Sequence, residues 1–114
     1  MPLLKRARIE IYLPGGQKAL HKRLQRAFED EFLHTFGGCT VIGDIKGLYL
    51  TSNNKPDFDR INLVYADTPF DFVKNFDALS KYTDQLKEAA LLATDEESIL
   101  IVVHDIYHSV SDNS

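Results

Sequence analysis

Ala7-Arg8-Ile9-Glu10-Ile11-Tyr12-Leu13 alternates in character and runs into Pro14-Gly15-Gly16, and these ten residues decide how the chain begins to fold. Ile9, Ile11 and Leu13 point one way, while Arg8, Glu10 and Tyr12 point the other, which is a strand with one buried face. Proline then removes a ladder donor, and the two glycines permit a tight turn. From Gln17 the period changes. Leu20, Leu24, Phe28, Phe32 and Phe36 recur every four residues with Ala27 beside them, and Lys22, Arg23, Glu29 and Asp30 fall elsewhere. That spacing predicts an amphipathic helix of about five turns. Gly37-Gly38 should end it, because glycine accepts the left-handed geometry that closes a helix.

Residues 39–51 read as the next extended run, with Val41, Ile45 and Tyr49 in one phase and Ile42, Leu48 and Leu50 in the other. A bulge or bend near Lys46-Gly47 would reconcile the two sets. Ser52 to Asp57 has turn composition, and a strand over about Asp59 to Ala66 follows. Ile61, Leu63 and Tyr65 form its expected core phase, with Arg60, Asn62 and Val64 opposite. Thr68-Pro69-Phe70-Asp71 has the chemistry of a helix start, with a capping hydroxyl, a proline suited to the first turn and an acid behind it. The helix expected from there buries Phe72, Phe76, Leu79, Leu86 and Ala90, with Val73 and Tyr82 flanking, until Thr94-Asp95-Glu96-Glu97 breaks it. Ile99 to Tyr107 is a last strand, apolar on both faces at its start.

The element order is therefore βαββαβ. Two βαβ halves with right-handed crossovers give the α+β, ferredoxin-like sandwich: a four-stranded antiparallel sheet, order 4-1-3-2, with two helices on one face. An open α+β sheet with different pairing is the competing arrangement. A chain of 114 residues fits a single domain, 1–114, with a tail over about 109–114 that has nothing to bury.

The strand Ile-Glu-Ile-Tyr-Leu-Pro, the helix end Thr35-Phe36-Gly37-Gly38-Cys39-Thr40 and Gly47-Leu48-Tyr49-Leu50 together resemble a group of small bacterial ferredoxin-like domains. In those, a Phe-Gly-Gly-x-Thr turn precedes a strand carrying Gly-x-Trp or Gly-x-Tyr. The layout matches over most of the chain, and the motifs match at Phe36–Thr40 and Gly47–Leu50. Such domains are functionally uncharacterised, so the resemblance implies the fold and lends no activity.

Composition excludes several classes. An apolar fraction of 44% and a charged fraction of 26% are ordinary for a globular protein. The single cysteine rules out a disulfide framework and a cysteine-based zinc site. Ile99 to Val103, the longest apolar run, is too short to span a bilayer, and Leu3-Leu4 before Lys5-Arg6 is no secretory signal. A cytoplasmic protein without membrane contact is expected. The net charge of −4 is uneven: residues 1–26 hold seven of thirteen basic residues and one acid, a balance of +6. That asymmetry suits nucleic acid or a bipolar molecule pairing with itself, and the pI near 5.5 argues against nucleic acid.

Four constellations carry chemical interest. Gly15-Gly16-Gln17-Lys18 would bring free helical amides and a cation to an anion, although it lacks the spacing of a phosphate loop. His104 and His108 share a strand face roughly 13 Å apart, too far to hold one metal, so no metal or cofactor is implied. Cys39 reads as a packing residue, since no base lies beside it in sequence. Ile11-Tyr12-Leu13-x-Gly resembles the first contact motif of an RNA-recognition domain, but Arg60 to Tyr65 lacks the glycine and aromatics of the second.

The open sheet face is the expected place of function, with Arg8, Glu10, Tyr12, Arg60, Asn62 and Val64 on it and Leu100, Val102 and Ile106 as interface residues. A mixed apolar and charged face of this kind is usually covered, often by a second copy. The first reading is a non-enzymatic homodimer that binds a small molecule or a protein partner. The second is a cofactor-independent monooxygenase- or isomerase-like enzyme using Tyr12, Arg60 or His104. The third is nucleic-acid binding through the basic N-terminal third.

Overall fold

The computed structural model of the chain describes residues 3–16, 18–93 and 99–109. Its elements are β1 (Leu3–Pro14), α1 (Ala19–Phe36), β2 (Thr40–Leu50), β3 (Pro56–Asp67), α2 (Phe76–Ala93) and β4 (Leu100–Ser109). All strands pair antiparallel in the order β2-β3-β1-β4, the expected 4-1-3-2 read from the other edge. This is the ferredoxin-like sandwich. The Gln17 helix start, the Thr94–Glu97 helix stop and the tail beyond Ser109 lie outside the described residues.

The alternation in β1 does what it predicts. Ala7, Ile9, Ile11 and Leu13 are buried against Leu24, Phe28 and Phe32 of α1 and Leu79, Leu86 and Ala90 of α2. Gly37 closes α1 with φ of 84° and an amide that bonds the Leu33 carbonyl, the left-handed cap anticipated from glycine. Ala27, expected beside the buried stripe, is exposed.

Three expectations need correction. β3 turns its other phase to the helices: Val64 and Ala66 are buried there, whereas Ile61, Leu63 and Tyr65 lie on the open face. Pairing fixes this, because Val64 stands opposite Ile11 and Ala66 opposite Ile9. Asn62 also faces the helices, where its amide donates to Gln25 Oε1 of α1 at 2.8 Å. The irregularity of β2 lies between Ile42 and Ile45 rather than at Lys46-Gly47. Asp44 there takes φ of 57°, and its amide bonds Asn62 Oδ1 at 3.2 Å. Gly47 has another reason to be glycine, since a Cβ would lie 2.8 Å from Ile61 Cδ1.

The third correction concerns α2, which starts at Phe76 and not near Pro69. The Thr68 hydroxyl is turned inward, donating to the Ala7 carbonyl at 2.9 Å and accepting from the Phe70 amide at 3.2 Å. Asp71 caps the turn over 72–75 that leads into α2, its Oδ1 accepting from the Val73 and Lys74 amides at 3.0 Å each. These bonds hold Asp71 below the usual carboxylate range, with the Lys74 amide the largest influence. Phe72 precedes the helix and is half-buried, while Phe76 is 52% exposed instead of buried.

Beyond the last pair of β1 with β3, Pro14 with Ile61, the β2–β3 hairpin continues alone. Lys46 to Leu50 pair there with Pro56 to Arg60, making an arm roughly 17 Å long. This arm contributes to the 52 Å long axis of a molecule only 28 Å and 26 Å across.

Candidate functional site

With both helices on one side, the other side of the sheet is uncovered, and strand register assigns its side chains. One row across the strands reads Ile42, Leu63, Tyr12, Leu100, and the next reads Thr40, Tyr65, Glu10, Val102. Further along β1 come Asp67, Arg8 and His104, then Arg6 beside Ile106. The face is thus divided. Its half toward Pro14 is apolar, and its half toward Leu3 is charged.

The charged half is internally paired. Arg8 grips Asp67 with two of its three guanidinium nitrogens, Nε at 2.6 Å and Nη2 at 3.0 Å, and its guanidinium lies 4.3 Å from the Tyr65 ring centre. Glu10 sits between two further groups. Its Oε1 accepts from the Tyr12 hydroxyl at 3.3 Å and stands 3.2 Å from His104 Nε2. The distance suits an ion pair, but the ring N–H is not aimed at the oxygen, and Nε2 has no hydrogen-bond partner. Burial, then the Glu10 charge and hydrogen bond, push the Tyr12 phenol up, so it stays protonated at neutral pH. It is a hydrogen-bond donor there and not a base.

Of the three residues singled out for chemistry, the structure brings Tyr12 and His104 together through Glu10 and leaves Arg60 apart. Arg60 shares the phase of Asn62 and Val64, at the base of the arm, directly opposite Lys46. It meets Tyr12 only at the sheet's end, where both border a cleft of about 490 Å3 together with Gly15, Gly16, Ile61 and Leu100. Leu100, Val102 and Ile106 share the open face, as the even phase of β4 requires. Ile101 and Val103 pack toward the core instead.

The β1–α1 turn has a packing explanation. The Gly15 amide donates to the Arg60 carbonyl at 2.8 Å, and a Cβ at Gly15 would lie 3.2 Å from that backbone. Gly16 takes φ of 97°. Lys18 occupies the position before α1 with extended backbone and no capping side-chain bond. Gly15 therefore spends its amide within the chain, leaving less of the anion cradle than the sequence suggests. Cys39 packs partly against the core, and burial followed by the nearby Glu29 raises its thiol, the reverse of what a nucleophile needs. Among the described residues no cluster of three His, Cys, Asp or Glu could hold a metal. No described helix is long and apolar enough to cross a membrane. Two cations of the basic N-terminal third are already matched, Arg8 by Asp67 and Lys5 by Asp105 at 3.4 Å.

Sequence reading placed Glu10 on the open face without giving it a role, although its spacing of two from Tyr12 on a strand puts both on one side. Asp67 and Tyr65 became partners of Arg8 only through the β1–β3 register, which local pattern does not set.

No family model matches the chain, and no curated protein matches it either. Solved structures do. The divalent cation tolerance protein CutA1 from Thermus thermophilus is similar with a TM-score of 0.53 and 14% identity, covering 89% of this chain and 82% of that one. CPII, a nitrogen regulatory PII-like protein from Thiomonas intermedia bound to ADP, AMP and bicarbonate, has a TM-score of 0.49 at 17% identity over 96% of this chain and 99% of its own. CutA1 from Oryza sativa has 0.46 at 15% identity over 96% and 85%. The Thermus likeness supports the ferredoxin-like fold, and at that identity it supports the fold alone.

Proposed function

We propose that the chain is a non-enzymatic, cytoplasmic binding domain that works as a homodimer and takes a small apolar ligand or a protein partner on its open sheet face. The observation that carries this reading is the row Ile42, Leu63, Tyr12, Leu100, apolar or aromatic on every strand, on the side no helix covers. Its ends are exposed, Leu100 at 59% and Ile42 at 43%, while Leu63 between them is 8% exposed and Tyr12 half-buried. A solvated sheet face is normally polar, so a row of this kind marks a contact surface. Covering two or three such side chains contributes about 4–8 kcal/mol before the cost of association, enough for micromolar binding when the contact is well shaped.

A second reading, a small cofactor-independent enzyme, has the Glu10 contacts with Tyr12 and His104 in its favour. Those groups stand on an open sheet face, whereas proton-transfer chemistry calls for convergent groups in an enclosed pocket. Binding is therefore the better supported reading.

Light scattering and dye titration test it together. The wild type should have about twice the 13.0 kDa chain mass and should bind anilinonaphthalene sulfonate saturably. Leu100→Lys and Ile42→Lys should each weaken dye binding at least tenfold while leaving the circular dichroism spectrum unchanged. A wild type that stays at 13.0 kDa at high concentration refutes the homodimer. Dye binding that is absent, or equal in all three proteins, refutes the face as a ligand surface.

A further inference from the structure

The sheet has two edges, and they are built differently. On the β2 edge the ladder is broken between Ile42 and Ile45, Asp44 has positive φ, and Lys46 follows. Bulges and lysines are the devices by which an edge strand avoids pairing with another chain. β4 has neither a bulge nor a lysine, and its one carboxylate, Asp105 on the helix side, is paired with Lys5 at 3.4 Å. Its ten residues, Leu100–Ser109, hold unbroken register with β1 from Tyr12↔Leu100 to Leu3↔Ser109, with no glycine, proline, lysine or arginine among them. Among the described residues no further strand pairs with its outer side.

We infer that β4 is completed by β4 of a second copy, running antiparallel about a two-fold axis at His104, so that two sheets become one of eight strands. This rests on the homodimer reading above and says where the two copies meet. In an isologous contact of this kind, residues equally distant from the axis face each other on the same side of the sheet.

The sequence of β4 is self-complementary about that axis. Val102 meets the partner's Ile106 and Leu100 the partner's His108 on the open face. Ile101 meets the partner's Tyr107 and Val103 the partner's Asp105 on the helix side. Aromatic and β-branched residues opposite one another are favourable cross-strand pairs. Tyr107, 62% exposed in one chain, gains an apolar neighbour in this arrangement. Moving the axis to Asp105 would set two carboxylates directly opposite each other. Moving it to Val103 would set Tyr107 and His108 opposite residues that precede β4. His104 is the register that pairs the most apolar residues without opposing carboxylates, and it sets His104 against its own copy on the axis.

The arrangement sets the apolar half of each open face beside the charged half of the other and leaves both apolar rows available to a ligand. One strand per copy is a small contact, below the roughly 1,200 Å2 of tight complexes. The dimer should therefore dissociate on dilution into the micromolar range.

Disulfide trapping reads the register. Across an antiparallel pair the Cα atoms are about 4.5–5.5 Å apart, within the 4.4–6.8 Å a disulfide spans. Two residues from the axis, a side chain and its own copy would be roughly 13 Å apart. In a Cys39→Ser background, His104→Cys should cross-link under mild oxidation at least tenfold faster than Val102→Cys or Ile106→Cys. The double variant Val103→Cys/Asp105→Cys should cross-link comparably with His104 intact, which covers the case in which His104→Cys does not fold. A wild type of dimeric mass in which neither variant cross-links faster than the controls overturns the β4 contact and leaves the homodimer standing. Faster trapping at Val102 or Ile106 overturns the proposed axis. A monomeric wild type overturns both readings.

Discussion

Thr68 shows how much one side chain carries in this fold. It is fully buried, and its amide and hydroxyl both donate to the Ala7 carbonyl, at 2.9 Å each, while its oxygen also receives the Phe70 amide. Two of these bonds tie the chain leaving β3 to β1, and the third closes a turn within that chain. Thr68→Val keeps the shape but removes the hydroxyl, leaving the Phe70 amide without its acceptor, and should cost about 1–3 kcal/mol. Thr68→Ser should recover most of that. Urea melts of the three proteins measure the effect, and equal midpoints for Thr68→Val and the wild type would mean that water replaces the hydroxyl freely.

At the scale of elements, Tyr82 of α2 clasps α1. Its hydroxyl donates to Glu31 Oε1 at 2.9 Å, and its ring meets Phe36 edge-on with centres 5.7 Å apart. Burial first, and the hydrogen bond to Glu31 second, raise the phenol well above its ordinary range. A folded-state pKa above the unfolded one means that the stabilisation is complete below about pH 10 and is lost as pH rises beyond that. The wild type should therefore lose thermal stability more steeply between about pH 10 and pH 12 than Tyr82→Phe does. Parallel slopes would show that the hydroxyl is free of Glu31 in solution. Elements were legible in the sequence wherever one phase was apolar and the other polar, as in β1 and α1. They were illegible where both phases were apolar. In β3 the pairing decided, since Val64 and Ala66 stand opposite Ile11 and Ile9 under the helices while Ile61, Leu63 and Tyr65 take the other face. At Thr68 the local helix-start chemistry was real but was taken by a tertiary partner, Ala7, that no local pattern reveals. The candidate site was half legible for the same reason: Tyr12 and His104 follow from alternation, but their meeting at Glu10 depends on register.

Across the whole molecule, stability must be unequal, because the sheet is sandwiched at one end and bare at the other. Ile9, Ile11 and Leu13 lie on a central strand under two helices, and their amides can exchange with solvent only when the core opens. The arm has no such cover. Leu48, 75% exposed, pairs with Phe58, Leu50 pairs with Pro56, and Lys46 reaches over the Phe58 ring at 4.8 Å. On its other side Tyr49 bonds Asp57 at 3.3 Å beside Asp59. A two-stranded hairpin without a third layer is marginal in water, so the arm should open independently of the rest. Hydrogen exchange should therefore be at least a hundredfold faster for the arm amides from Lys46 to Leu50 than for those of Ile9 and Ile11 in a monomeric variant. The β4 contact lies at the far edge of the sheet from β2, so dimerisation through it should leave that ratio unchanged. If dimerisation instead slows exchange in the arm, the second copy covers Leu48 and Phe58, and the arm belongs to the contact between the two chains.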